Sequence, residues 1–168
     1  VVSSKIHASD IGISIMKNGG NAIDAAIGVC FALAVTHPSA GNIGGGGFMV
    51  INFENGSSTA IDFREVAPLN SKENMFQDEE GNVIDGLSTS SILSVGVPGT
   101  VAGMGYIHEK YATLPWDQLL YPAFLLAKYG FELDQHNHYL FNNLSLIDKL
   151  SKDEETRKIF IENKIYSL

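Results

Sequence analysis

Three charged side chains lie close together in the sequence: Asp62, Arg64 and Glu65. They follow a run of four adjacent glycines at positions 44–47. A guanidinium is a planar fork of donors that holds a carboxylate with two parallel hydrogen bonds, so Arg64 suits recognition of an acidic ligand. On the residues alone a second use stays open, and it is the commoner one: an ion pair with Asp62 or Glu65. The alternation of a strand places Ala60, Asp62 and Arg64 on one face and Ile61, Phe63 and Glu65 on the other. The glycines, with Gly41 just before them, suit a backbone that turns tightly or passes close to another chain segment. They do not read as a phosphate loop. Gly47 is followed by Phe48 and Met49 instead of Lys and Ser or Thr, and no G-x-G-x-x-G pattern lies between Ala40 and Phe48.

These residues need elements to hold them. Two strand-like runs, 48–53 and 59–65, flank Asn55-Gly56 and predict an antiparallel hairpin joined by two or five residues. Upstream, Ile11 and Ile15 mark a helix over 9–17, capped by Ser9 or Ser4 and ended by Gly19-Gly20. Asn21 is the expected cap of a second helix over 22–35, with Asp24 in its first turn. That helix is apolar on every side, so it should be buried between other elements. Its alanines and Gly28 would let a neighbouring backbone approach, and the glycine run is one candidate for that contact.

Downstream, 67–86 reads as irregular and 88–97 as ending in a strand that stops at Pro98-Gly99. A helix over 100–111 carries the stripe Val101, Met104, Ile107, Tyr111. Another should start at Pro115 and end at Gly130, with Pro122 kinking or splitting it. The last third, 133–168, reads as amphipathic helix with Leu140, Leu144 and Ile147 on one stripe. The pattern is a mixed α/β (α+β) chain with an antiparallel pair covered by helix, and no boundary divides it.

Composition narrows the function. A chain of 168 residues with 45% apolar and 10% aromatic residues is globular. Its net charge of -8, with no compact basic patch, argues against nucleic acid. Cys30 is the single cysteine, so no disulfide forms within the chain. His136 and His138 have no cysteine or carboxylate set beside them that reads as a metal site. No G-x-S-x-G elbow is present. The longest apolar run, 25–35, is too short to span a bilayer, and no targeting signal is visible.

The sequence Gly19-Gly20-Asn21-Ala22-Ile23-Asp24-Ala25-Ala26 resembles the N-terminal region of gamma-glutamyltransferases (glutathione hydrolases). So do residues 44–48, then Asp62-Phe63-Arg64-Glu65-Val66-Ala67-Pro68. Gly96-Val97-Pro98-Gly99 and Leu114-Pro115-Trp116 follow in the same order, and the likeness covers roughly residues 3–131. It implies a fragment of the four-layer αββα sandwich of N-terminal-nucleophile hydrolases, taken from the N-terminal part of the large subunit. The implied reaction splits the gamma-glutamyl amide of glutathione and passes the acyl group to water or an amine. The related alternatives are a glutaryl or cephalosporin acylase on the same fold, or a binding module without catalysis.

In that family the arginine of the Arg-Glu pair binds the substrate α-carboxylate, which here is Arg64, with Asp62 and Glu65 as supporting neighbours. The family's nucleophile is a threonine freed at the N-terminus of a small subunit when the precursor cuts itself. The Thr36-His37 pair does not match that motif, so no catalytic residue is expected in this chain and the chain alone should be inactive. The resemblance implies no metal and no organic cofactor. It implies glutathione as substrate, the small subunit of the same precursor as partner, and a periplasmic or extracellular location. A fragment of this kind is also expected to self-associate.

Overall fold

A computed structural model describes residues 1–162. The chain forms two compact units, Val1–Phe124 and Leu125–Leu168. In the first, helix α1 (Ile6–Lys17) packs along α2 (Ala22–Thr36). Small residues set their spacing: a Cβ on Gly12 would come within 2.7 Å of Val29 Cγ2, and one on Gly28 would strike the Ile15 side chain. Helix α1 begins at Ile6, earlier than the sequence pattern suggests, and neither Ser4 nor Ser9 caps it. The Ser9 hydroxyl is instead hydrogen-bonded to that of Ser3, 2.8 Å away.

Helix α2 starts as its sequence predicts. Asn21 Oδ1 accepts from the amides of Ile23 (2.8 Å) and Asp24 (2.9 Å), and an Asp24 carboxylate oxygen accepts from the Asn21 amide at 2.8 Å. This is a closed capping box, which satisfies otherwise orphaned amides of the first turn. The helix is less enclosed than its composition suggests. Ile27, Phe31 and Ala32 are buried, but Val29, Leu33 and Val35 are only half-buried.

The hairpin is β1 (Phe48–Asn52) paired antiparallel with β2 (Ser58–Asp62), with Phe48 opposite Asp62 and Val50 opposite Ala60. Five residues join them, and the Ser57 carbonyl accepts from the Phe53 amide at 2.9 Å. β1 starts where alternation implies, whereas β2 stops three residues earlier at its outer end, because the ladder stops where the glycine loop begins. Burial alternates along both strands: Met49, Ile51, Thr59 and Ile61 point inward, while Phe48, Val50, Ala60 and Asp62 face out.

After the hairpin the strand expected at the end of segment 88–97 does not form. A short helix α3 (Leu87–Ser90) and a 3-10 turn (Ile92–Ser94) take its place. The serines explain this. Ser91 accepts from the Leu93 amide at 3.2 Å and donates to the Leu87 carbonyl at 2.6 Å, local bonds that compete with an extended ladder. Only Val97 keeps strand-like pairing, exchanging amide bonds with Val66 at 2.9 and 3.2 Å.

Helix α4 (Thr100–Tyr111) has the predicted bounds. Its inward stripe is Thr100, Gly103, Met104 and Ile107, whereas Val101, expected in that stripe, is 44% exposed. Helix α5 (Trp116–Tyr129) runs unbroken through Pro122. The bond lost there is to the carbonyl of Gln118, an exposed residue, so Pro122 does not split the helix.

The second unit contains α6 (Gln135–Phe141), α7 (Leu144–Leu150), α8 (Glu154–Arg157) and a π-helical turn (Lys158–Glu162). The expected continuous stripe is broken. Asn143 accepts from the Leu146 amide at 3.1 Å and starts a new helix, and Leu144 is 81% exposed. The final stretch of that expectation, 163–168, lies outside the described residues. No helix among the described residues is long and apolar enough to cross a membrane.

Candidate functional site

Arg64 sits two residues beyond the end of β2, in a stretch of backbone fastened on both sides. Before it, the Phe63 amide donates to the Gly47 carbonyl at 3.0 Å, and after it Val66 pairs with Val97. Three glycines from separate parts of the sequence close around the same stretch. A Cβ on Gly46 would lie 2.6 Å from Arg64 Cα, and one on Gly96 would lie 3.0 Å from Glu65 Cβ. A Cβ on Gly99 would run into the Phe63 carbonyl. In each case the close approach of another backbone or side chain requires glycine. Behind them Gly103 of α4 rests on the Phe63 ring. Gly41 makes the close approach to α2 expected of the glycine cluster, lying against the Leu33 carbonyl.

The Arg64 side chain contrasts with its backbone. It is 65% exposed, and its ion pair with Glu65 is long, Nε to Oε2 at 4.0 Å. That distance is beyond a hydrogen bond. The guanidinium carbon stands 5.9 Å from the centre of the Phe48 ring, within range of a cation–π contact. Asp62 does not pair with the guanidinium. Its Oδ1 accepts from the Arg64 backbone amide at 2.9 Å and so fixes the turn out of the strand. Of the two acids flanking Arg64, one is spent on backbone and the other stands off, which leaves the fork available to a ligand.

Arg64 and Glu65 line one end of a cavity of about 450 Å³. Met75, Phe76, Leu93 and Ser94 from the irregular segment and the 3-10 turn contribute to its wall. The structure thus brings Asp62, Arg64 and Glu65 together as their spacing implies. It adds partners that the sequence reading missed. Phe48 joins the site through its register opposite Asp62, and behind the glycine loop the Thr100 hydroxyl donates to Asn42 Oδ1 at 2.6 Å, a contact with no local signal in the sequence.

The sequence model of the family described as Gamma-glutamyltranspeptidase matches residues 8–167. This chain belongs to the gamma-glutamyltranspeptidase family. It is 56% identical over 135 residues to a glutathione hydrolase proenzyme of Pseudomonas sp. (strain A14), covering 80% of this chain and 24% of that relative. It is 52% identical over 131 residues to the Escherichia coli (strain K12) glutathione hydrolase proenzyme, covering 78% of this chain and 23% of that one. The crystal structure of Helicobacter pylori gamma-glutamyltranspeptidase superposes with a TM-score of 0.91 at 46% identity, over 96% of this chain and 46% of that chain. The mixed helix and hairpin architecture is therefore that of the gamma-glutamyltranspeptidase fold. The chain spans about a quarter of the length of the curated relatives it matches.

Elsewhere, His108 and Cys30 sit in structural settings. His108 Nε2 lies 2.9 Å from the Leu114 carbonyl, and its ring meets Trp116 edge-on at 5.3 Å. Among the described residues no group of three His, Cys, Asp or Glu is arranged to hold a metal ion. Burial pushes the Cys30 thiol pKa up, which disfavours the reactive thiolate.

Proposed function

We propose that this chain is the N-terminal portion of the large subunit of a glutathione hydrolase (gamma-glutamyltransferase), and that Arg64 holds the α-carboxylate of the gamma-glutamyl substrate. The observation that carries the reading is the pairing of a rigidly held Arg64 backbone with an exposed guanidinium at the rim of a cavity. Family membership supplies the substrate class. Asp62 acts through the backbone turn, and Glu65 biases the guanidinium from one side. The acyl transfer itself uses a threonine of the small subunit, whose free α-amine can serve as base toward its own hydroxyl. The substrate is glutathione or a related gamma-glutamyl amide, the acceptor is water or an amine, and the enzyme works in the periplasm or outside the cell. This chain alone turns over no gamma-glutamyl anilide.

The test is substitution of Arg64 in the full-length gene product. Loss of one partner of a charge-assisted pair costs roughly 2–5 kcal/mol. Arg64→Ala should then lower kcat/KM by about 30-fold to several thousand-fold, at about 1.36 kcal/mol per decade. The change should fall mainly on KM if the contact is equal in ground and transition states. Arg64→Lys keeps the charge but loses the fork, so it should fall between wild type and Arg64→Ala. For an analogue lacking the α-carboxylate, wild type and Arg64→Ala should be equally poor. Self-cleavage should persist in both variants. Wild-type KM and kcat for glutathione in Arg64→Ala would reduce Arg64 to a structural ion-pair residue.

A further inference from the structure

The glycine loop and the first turn of α4 are tied to each other by a compact set of bonds that no side chain of the clamp itself makes. The Thr100 hydroxyl donates to Asn42 Oδ1 at 2.6 Å, and the Gly45 amide donates to the same oxygen at 3.0 Å. In the other direction the Gly45 carbonyl accepts from the amides of Gly99 (2.8 Å) and Thr100 (3.0 Å), two donors that the start of a helix leaves without intrahelical partners. Thr100 is 2% exposed, so its hydroxyl needs this acceptor.

The consequence lies one residue further along each strand of the clasp. Gly46 follows Gly45 and lies against Arg64 Cα, while Gly99 precedes Thr100 and lies against the Phe63 carbonyl. Gly46 and Gly99 both press on the Phe63–Arg64 backbone at the Phe63 carbonyl, and the two segments that carry them are joined by the Asn42–Thr100 bond and the Gly45 carbonyl. We infer that Asn42 and Thr100 form a latch that positions Arg64 for the substrate carboxylate, acting through the glycine loop without touching substrate. This rests on the reading of Arg64 as the carboxylate clamp. A guanidinium that must meet a carboxylate bidentately tolerates little displacement of its Cα, because both bonds depend on the plane of the fork. The long Glu65 contact is too weak to restore that plane if the backbone drifts.

The test uses the full-length enzyme and reads kcat and KM for a gamma-glutamyl substrate. Arg64→Ala is measured first: unchanged KM and kcat there remove the clamp reading and the latch with it. Given a raised KM in Arg64→Ala, Thr100→Val keeps the β-branched shape and removes only the hydroxyl. It should raise KM about 2- to 10-fold, the range of one net hydrogen bond, with less change in kcat. Thr100→Ser restores the donor and should return KM toward wild type. Asn42 is half-buried, so Asn42→Ala cuts the same bond from the side less committed to the core, and it alone decides if Thr100→Val does not fold. The signature of positioning is coupling. In an Arg64→Ala background, Thr100→Val or Asn42→Ala should raise KM no further. If these substitutions leave KM at the wild-type value, or add their full effect on top of Arg64→Ala, or if Thr100→Ser fails to rescue, the latch is overturned. A drop in melting temperature with unchanged KM has the same meaning.

Discussion

Asp24 and Arg64 are both charged, both lie on firmly held backbone, and the fold treats them in opposite ways. Asp24 is completely buried. Its carboxylate accepts from the Asn21 amide, the Thr113 amide and hydroxyl (2.6 Å for the hydroxyl) and the Leu114 amide. It binds the start of α2 to the link between α4 and α5, with nothing left over for a ligand. Arg64 has its backbone held as tightly, yet its fork projects into solvent beside a cavity. The difference is what separates a charge consumed by folding from one presented for function. Family resemblance covers both positions equally, so only the surroundings tell them apart.

The sharpest way to break this comparison is to exchange the readouts. Arg64→Ala should cost activity, as above, and leave stability within about 0.5 kcal/mol of wild type, the usual range for an exposed site. Asp24→Asn should do the reverse. An amide presents a donor to a cluster of donors, and each bond lost to a charged acceptor is worth about 1.5–3 kcal/mol. We expect a destabilisation of about 2–3 kcal/mol in urea titration of the chain. In whatever fraction of full-length enzyme folds, KM should be unaltered. A raised KM in folded Asp24→Asn would erase the distinction.

Acid sharpens the same contrast. Burial pushes the Asp24 carboxyl pKa upward, but hydrogen bonds from the Thr113 hydroxyl and the amides of Asn21, Leu114 and Thr113 outweigh it and hold the group below its ordinary value. The unfolded chain, with a value of about 3.9, then binds more protons than the folded one at low pH. The stability Asp24 confers is complete above that value and lost as pH falls through the lower folded one. The stability gap between wild type and Asp24→Asn should be constant from pH 7 to about 5 and close below about 4. A gap that stays flat at pH 3 or below would show that the carboxylate charge is not what the cluster stabilises.

How much of this was legible follows the same division. The Asn21–Asp24 cap could be read from the sequence because its partners are three residues apart. The bounds of α4 could be read too, since Pro98-Gly99 marks the start and the apolar repeat runs to Tyr111. The position of Arg64 at a strand end beside the glycines was visible from alternation. What completes the site was not. Asn42 meets Thr100 across 58 residues, and Asp24 meets Thr113 across 89. No local period encodes such contacts. The strand expected at the end of segment 88–97 failed for a local reason, since the apolar residues there are interleaved with serines that bond their own backbone. In the last third, asparagine and aspartate caps at Asn143 and Asp153 start new helices where the apolar spacing alone suggested one.

The smallest effect concerns the two faces of the hairpin, which repeat the contrast between consumed and presented surface in apolar residues. On the inner face Ile51 is 8% exposed. On the outer face Phe48 is 65% and Val50 68% exposed, and Ala60 lies directly across from Val50. A two-stranded sheet with an apolar outer face gains by covering it, and a second copy of the same chain offers an identical face. We expect the 168-residue chain to self-associate weakly through this surface. Val50→Thr is the cleaner probe, because Phe48 lies under the Arg64 guanidinium and its removal would also disturb the clamp. The substitution keeps β-branching and strand preference while making the outer face more polar. Losing about one buried methyl per chain, worth about 0.8 kcal/mol, should raise the dissociation constant roughly tenfold for a symmetric pair, in which the change counts twice. Sedimentation velocity over a range of concentrations reads this directly. A wild-type chain that stays monomeric at several hundred micromolar, or a Val50→Thr variant that associates as strongly as wild type, would show that the exposed outer face is not a surface the chain uses to pair with itself.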